Sequence, residues 1–229
     1  MPYPFRGEIV DLLPESDRPA ITPFQRIMQS SAVVHIYERY WRRAGYRLAS
    51  GRAFEREMET MLRLSGEATG GPILDLACGP GVFTRPLAAR TREPVVGLDL
   101  SMPMLRRAAR LVRSEGLGNV VLMRGSAFRL PFADSVFPLV NCCGALHLFV
   151  NPRAALGEIR RILLPTGLLT VQTTIRPERP AFWVRFLERF FRFGFFEPAE
   201  LNALLRECGF DLVRSERNRI SCSLLARRA

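Results

Sequence analysis

The sequence contains no lysine, so all 33 of its basic side chains are arginine. That absence excludes a phosphate-binding loop of the Gly-Lys-Ser/Thr kind, whose lysine ammonium reaches the phosphates. Its five cysteines (Cys78, Cys142, Cys143, Cys208, Cys222) form no Cys-x-x-Cys pair and fall in apolar or turn contexts. Neither a zinc site nor a disulfide framework is expected, and no metal is assigned. No run approaches the roughly 18 apolar residues of a membrane span. The start, MPYPFRGEIVDLLPESDRP, carries prolines and acids where a secretory leader needs an apolar stretch. A cytoplasmic protein is the expectation. Internal repeats and low-complexity tracts are absent as well.

What is present suits a single substantial domain with a modest cap, since 229 residues at 48% hydrophobic content can bury a real core. The net charge of +11 raises nucleic acid or an anionic membrane as a partner. Against this, the arginines occur singly or in pairs, mostly on the polar faces of candidate helices. A solvated basic surface is the preferred reading, and nucleic acid is disfavoured.

Residues 1 to 23 hold five prolines and are expected to be extended or loop-like. From Phe24 to Ser65 apolar residues recur at helical spacing, predicting two or three helices that form a cap. After the Gly-Gly-Pro turn at 70 to 72, short apolar runs alternate with helical stretches. This alternation predicts an α/β fold, a mostly parallel sheet with helices on both faces. Strands are predicted at 73–77, 95–99, 120–124, 136–143 and 167–174, with an antiparallel pair at 211–217 and 220–226. Helices are predicted at 82–91, 102–115, 152–163 and 198–208. The chain thus divides into an N-terminal extension and helical cap, 1–70, and a ligand-binding domain, 71–229.

The chemistry concentrates in ILDLACGPGVFTRPLAAR, residues 73 to 90, where a glycine-rich turn follows a buried strand. Such a turn lets backbone approach a ligand at the carboxyl edge of a parallel sheet. A nicotinamide-dinucleotide fingerprint needs a third glycine three positions after Gly81, and Thr84 stands there instead. Asp75 adds a second objection, because its carboxylate repels phosphates and suits an ammonium or a sulfonium. Twenty positions beyond Gly79, the next strand ends in Asp99, where an acid can accept both hydroxyls of a ribose. Ser101 can cap the following helix, and Met104 can press on an adenine face.

Taken together, LDLACGPG, VVGLDLSMPML, MRGSAFRLPFADSVF and NCCGALHLFVNPRAALGEIRRILLPTGLL resemble the class I S-adenosylmethionine-dependent methyltransferases. More narrowly, residues 71 to 175 are similar to the group that includes the ubiquinone and menaquinone C-methyltransferases. The segment TPFQRIMQSSAVVHIYERYWRRAGY resembles the region before the catalytic domain in cyanobacterial and plastid-type members. The resemblance implies a Rossmann-like, mostly parallel seven-stranded sheet and S-adenosyl-L-methionine as cofactor. It implies that Asp75, Ala77, Cys78, Gly79 and Gly81 line the methionine end, and that Asp99 holds the ribose. Leu100 and Met104 then flank the adenine, Ser126, Ala127 and Phe128 cover its edge, and Cys142 and Cys143 lie beneath the cofactor. Tyr37 from the cap closes over the methionine carboxylate, and His147 is placed near the reacting methyl as a candidate base.

Two positions depart from the family pattern. Ser126 stands where relatives usually carry an aspartate that accepts the adenine amino group. A neutral acceptor in place of a charged one implies a loss of about 1 kcal/mol in binding. Pro138 replaces a common aspartate in the fourth strand, and proline cannot donate to a ladder, so a strand start or an irregular edge is expected there.

Residues 176 to 197 interrupt the sheet pattern. Phe182, Phe186, Phe190 and Phe193 recur at helical spacing, while Arg185, Arg189 and Arg192 fall on another face. An aromatic lid over a lipophilic acceptor, a membrane-surface helix and ordinary packing against the cap all fit this pattern. The expected activity is methyl transfer to oxygen or carbon of an apolar small molecule of aromatic, quinone or polyketide type. The alternatives are a nucleic-acid methyltransferase and a non-methylating fold relative that acts as a cyclase or binding protein.

Overall fold

The computed structural model describes residues 5–6, 9–13, 21–28, 30, 47, 51, 53–68, 70–179 and 182–229. Nine strands form one sheet: β1 (Phe5–Arg6), β2 (Ile9–Asp11), β3 (Ile73–Leu76), β4 (Val95–Asp99), β5 (Val120–Arg124), β6 (Phe137–Cys143), β7 (Leu163–Thr174), β8 (Phe210–Asn218) and β9 (Ser221–Arg228). Their spatial order is β1-β2-β5-β4-β3-β6-β7-β9-β8. The run from β2 to β7 is parallel throughout, and antiparallel pairs close both edges. Apart from β1 and β2, this is the predicted seven-stranded sheet. The chain builds outward from β3 through β4 to β5, then crosses back to place β6 on β3's other side. A ligand site is expected outside the carboxyl ends of the strands at that reversal.

The helices among the described residues are α1 (Pro23–Met28), α2 (Phe54–Ser65), α3 (Thr84–Ala88), α4 (Met102–Ser114), α5 (Pro152–Ile162), α6 (Phe182–Phe191) and α7 (Pro198–Glu207). Their starts follow local chemistry. Ser101 caps α4 by accepting from the Met104 amide at 3.4 Å, and Asn151 caps α5 by accepting from Ala154 at 3.0 Å. Proline sits in the first turn of both helices, where its missing N–H costs nothing.

Alternation along the strands feeds two cores. Val96 and Val140 face a core with Leu156 and Ile159 of α5 and Leu201 and Leu205 of α7. Their neighbours Val95 and Leu139 face the opposite core with Met61 and Leu64 of α2, Leu87 of α3 and Phe83 just before it. Period-two alternation on strands buried on both faces gives this three-layer arrangement. α2 therefore covers a sheet face instead of capping the site, as the sequence pattern had suggested. The other residues expected to form the cap, including His35 and Tyr37, lie mostly outside the described residues.

Residues 1 to 23, expected to be extended or loop-like, contribute two short strands, β1 and β2, whose pairing with the sheet was not foreseen. All five prolines of the segment lie at 2, 4, 14, 19 and 23, leaving Phe5 to Leu13 free to donate backbone hydrogen bonds. β2 uses that gap to pair in parallel with β5, burying Ile9 beside Leu105, Ala108 and Leu122. Asp11 then accepts from Arg124 at 3.3 Å, and Arg124 reaches on to the Leu100 carbonyl at 3.2 Å. The N-terminal strand thus braces the segment beside Asp99.

At Pro138 the sheet behaves as a proline demands. The β6–β7 register shifts between Phe137 and Leu139, so no ladder bond is asked of the proline nitrogen. Gly97, inside β4, is required for packing. A β-carbon there would stand 2.9 Å from Leu122, 3.2 Å from Cys78 Sγ and 3.3 Å from the Thr84 methyl. Gly97→Ala should therefore cost about 1–3 kcal/mol by overpacking. A fall in the urea midpoint at unchanged slope checks this, and an unshifted midpoint would refute it.

Candidate functional site

Of the predicted ligand residues, Asp75 to Gly81, Asp99 and Cys142 and Cys143 lie at the carboxyl ends of β3, β4 and β6, Ser126 to Phe128 follow β5, and Tyr37 lies outside the described residues. After Leu76 the backbone turns through left-handed conformations at Ala77 (φ 55°), Gly79 (φ 55°) and Gly81 (φ 77°). A β-carbon built on Gly79 meets nothing within 4 Å, so the turn presents bare backbone to open space. Alanine is an uncommon residue at such a φ, and the strain falls on the residue that opens the turn.

Two aspartates hold this turn from different sides. Asp99 Oδ2 accepts from the Gly79 amide at 2.8 Å, and Oδ1 accepts from the Ser101 amide at 2.7 Å. Burial raises the Asp99 carboxyl above its ordinary value, while the amides of Ser101, Gly79 and Leu100 oppose that rise. The group is still partly open to solvent at the strand end. Asp75 is buried, only 2% exposed. Its Oδ2 accepts from Thr84 Oγ1 at 2.5 Å and its Oδ1 from Asn141 Nδ2 at 2.7 Å. It anchors the turn from below.

Sequence reasoning missed the importance of Thr84 and Asn141. Thr84 figured only as the residue that breaks the dinucleotide fingerprint, and nine positions after Asp75 it is that carboxylate's donor. Asn141 extends the chain inward, since its Oδ1 accepts from Thr170 at 2.8 Å and from the Cys143 thiol at 3.1 Å. The signal available was an asparagine inside an otherwise apolar strand, where an amide needs partners.

The cysteines contribute packing and backbone. Cys78 is buried against β4, and burial and the nearby carboxylates of Asp99 and Asp75 push its thiol well up. Burial, with the charge of Asp75, holds Cys142 at about 12. Both are neutral thiols under the floor of the turn. Leu100 is half-buried and Met104 buried at the start of α4. Ser126 Oγ accepts from the Phe128 amide at 3.2 Å, closing the loop after β5, and Phe128 stacks edge-on to Phe149 at 5.8 Å. Among the described residues no cluster could hold a metal ion.

His147 lies just past β6 in a short 3-10 turn, Leu146–Leu148. Its Nδ1 is 3.3 Å from Thr173 Oγ1, and its ring lies 4.8 Å from that of Phe193. Phe193 also touches Phe24 at 5.1 Å and Phe195 at 5.2 Å. The Gly194 amide donates to the His147 carbonyl at 3.0 Å, and a β-carbon on Gly194 would collide with that oxygen at 2.4 Å. Burial lowers the imidazole to about 3. The expectation that its titration range suits proton removal is thereby corrected, because this apolar setting keeps the ring neutral and weakly basic.

The lid segment divides in two. Phe193 and Phe195, after α6, pack at His147, whereas Phe182, Phe186 and Phe190 on the helix are 85%, 50% and 60% exposed. The helix row points away from the site.

Residues 73–167 match the family model described as "Methyltransferase domain". An uncharacterised chloroplastic methyltransferase of Arabidopsis thaliana is 28% identical over 194 residues, 80% of this chain and 54% of that protein. The demethylmenaquinone methyltransferase of Lactiplantibacillus plantarum is 39% identical over 116 residues, 49% of each chain. The chain thus spans about half the length of these curated relatives. Among solved structures, the 4+2 cyclase SpnF superposes with a TM-score of 0.68 at 20% identity, over 77% of this chain and 81% of that one. Fold alone therefore leaves the reaction open.

The neutral His147 has a consequence for stability. Below the ordinary value of 6.5 an unfolded chain takes up a proton that the fold refuses until about 3. The stability present above pH 6.5 is lost as pH falls through that window, at up to about 1.4 kcal/mol per pH unit. His147→Gln should flatten this part of the acid limb in urea unfolding. An unchanged slope would mean that the folded ring already carries the proton.

Proposed function

We propose that this chain, whose residues 73–167 match a methyltransferase-domain model, is a class I S-adenosylmethionine-dependent methyltransferase acting on oxygen or carbon of an apolar small molecule. The observation that carries this reading is the pairing of Asp99 with the bare turn at Gly79. The donor set fits the cofactor. Asp99 offers a partly open carboxylate with lone pairs left for ribose hydroxyls. Leu100 and Met104 offer apolar contact for a base, and Asp75 places a negative charge beneath the turn, suited to an ammonium and a sulfonium. Ser126 and Phe128 close the far end.

S-adenosyl-L-methionine supplies a methyl group already activated on a sulfonium, so alignment of the acceptor and exclusion of water make up much of the protein's work. A strong base is not offered by His147. Its neutral ring instead fixes Phe193 and Phe195 against the end of β7, giving that side of the site an aromatic wall. Such a wall suits an apolar acceptor, and the named activity of the demethylmenaquinone relatives supports the same class.

Titration calorimetry should detect S-adenosylhomocysteine, and Asp99→Ala should weaken it roughly 10- to 100-fold, the loss of charge-assisted hydrogen bonds. No heat at millimolar ligand with the fold intact would overturn the cofactor assignment. Product formation without stoichiometric release of S-adenosylhomocysteine would indicate a cyclase instead. In turnover, His147→Ala should lower kcat and raise KM for the acceptor while cofactor affinity stays within about twofold, because the wall loosens and the turn does not. A wild-type kcat in that variant would remove His147 from the acceptor side.

A further inference from the structure

α6 exposes large apolar side chains that the methyl-transfer site does not use. At about 100° per residue, Phe182, Phe186, Phe190 and Trp183 occupy roughly 100° of the helix circumference. Their exposures of 85%, 50%, 60% and 40% place that arc on the outside. Arg185 and Arg189 adjoin it on one flank and are also exposed, as is Arg192 just past the helix end. Val184, on the opposite side, is fully buried. The helix's acid, Glu188, sits toward the buried side and pairs with Arg176. The outward half of α6 is therefore aromatic in its middle, cationic on one flank and free of acid; in sequence the nearest exposed acid is Glu178, before the helix and followed by Arg179.

Three exposed arginines elsewhere, Arg63, Arg153 and Arg214, pair with the carboxylates of Glu216, Glu207 and Glu67. A row of exposed phenylalanines is costly in water, and an arginine-flanked aromatic row matches the boundary between lipid headgroups and acyl chains. No helix among the described residues is long and apolar enough to cross a membrane, so the fitting geometry is a helix lying in the surface plane.

We propose that α6 seats the protein on a bilayer surface bearing anionic headgroups. Phe182, Trp183, Phe186 and Phe190 enter the headgroup boundary, and Arg185, Arg189 and Arg192 meet the lipid phosphates. Chemical complementarity selects this occupant over a second copy of the chain, which would set like-charged arginines against each other about a two-fold axis.

The test is flotation of the full chain, without cofactor or acceptor, on vesicles of equimolar phosphatidylcholine and phosphatidylglycerol and on phosphatidylcholine alone. The protein should float with the anionic vesicles, less so at high salt, and only weakly with the neutral ones. The variant Phe182→Ser/Phe186→Ser/Phe190→Ser changes exposed positions only and should bind the anionic vesicles at least about tenfold less. Arg185→Gln/Arg189→Gln should lose the preference for anionic lipid. Absence of flotation, or equal flotation of wild type and the triple serine variant, would overturn the proposal. So would a wild-type dimer in light scattering that the serine variant dissolves. None of these outcomes depends on methyl transfer.

Discussion

The buried carboxylate of Asp75 is the constraint around which the rest of the site is arranged. A charge at 2% exposure is tolerable only when its oxygens are hydrogen-bonded. Thr84 and Asn141 meet that demand from two different elements, α3 and β6. Satisfying the carboxylate therefore fixes the start of α3 over the end of β3, and fixes β6 beside it. Between the two anchored points, residues 77 to 83 have little freedom, and the positive φ angles at Ala77, Gly79 and Gly81 are held by this closure. Asp99 then finishes the turn from the neighbouring strand. Through Asn141 the constraint runs on to Thr170 and to Ser65 at the end of α2. A hydrogen-bonded line thus crosses the sheet from the ligand edge to a layer helix.

Much of this was legible in the sequence because the signals were redundant. Strands 95–99 and 120–124 fall where the apolar runs fall, and Val95 to Leu98 are buried on both faces of the sheet, as a short continuous apolar run predicts. The glycine turn and Asp99 were legible from spacing, because a twenty-residue strand-helix-strand unit brings their backbone and side chain together. Illegible were the contacts that depend on one side chain completing another. Nothing local in Thr84 or Asn141 announces a carboxylate nine or sixty-six positions away. β1 and β2 were obscured by prolines that lie around the strands and not in them. The histidine was found, but its neutrality was not, because that follows from Phe193, forty-six residues on, folding over the ring.

The arginine-only charge has a structural use at one loop. Arg161 reaches out of α5 to Glu158 and Asp134 and donates to the carbonyls of Phe132 and Leu130. These partners raise its pKa and spread its planar fork over four acceptors, which a lysine ammonium could not match in one plane. Glu158 in turn accepts from the Leu130 amide at 2.7 Å. This network ties the segment following Ser126 and Phe128 to the frame of α5. Arg161 itself is partly exposed, so the gain lies in geometry more than in ion-pair energy.

The segment between β7 and α7 joins the exposed face of α6 to the surroundings of His147. It leaves the sheet at Arg176 and returns at Phe196, whose carbonyl accepts from the Arg176 amide at 2.8 Å, while Phe196 bridges to Ile175. The Arg176 guanidinium pairs with Glu188 inside α6 and with Glu197 at the point of return. The excursion is therefore closed at its base, and α6 is tied to that base by its own acid. A closed loop of this kind pays most of its ordering entropy within itself, so its attachment elsewhere can be light. That attachment includes the contact of Phe193 and Gly194 with His147, Thr174 donating to the Gly194 carbonyl at 2.7 Å, and Phe24 against Phe193. The outer face of α6 and the Phe193–His147 contact thus belong to one closed unit.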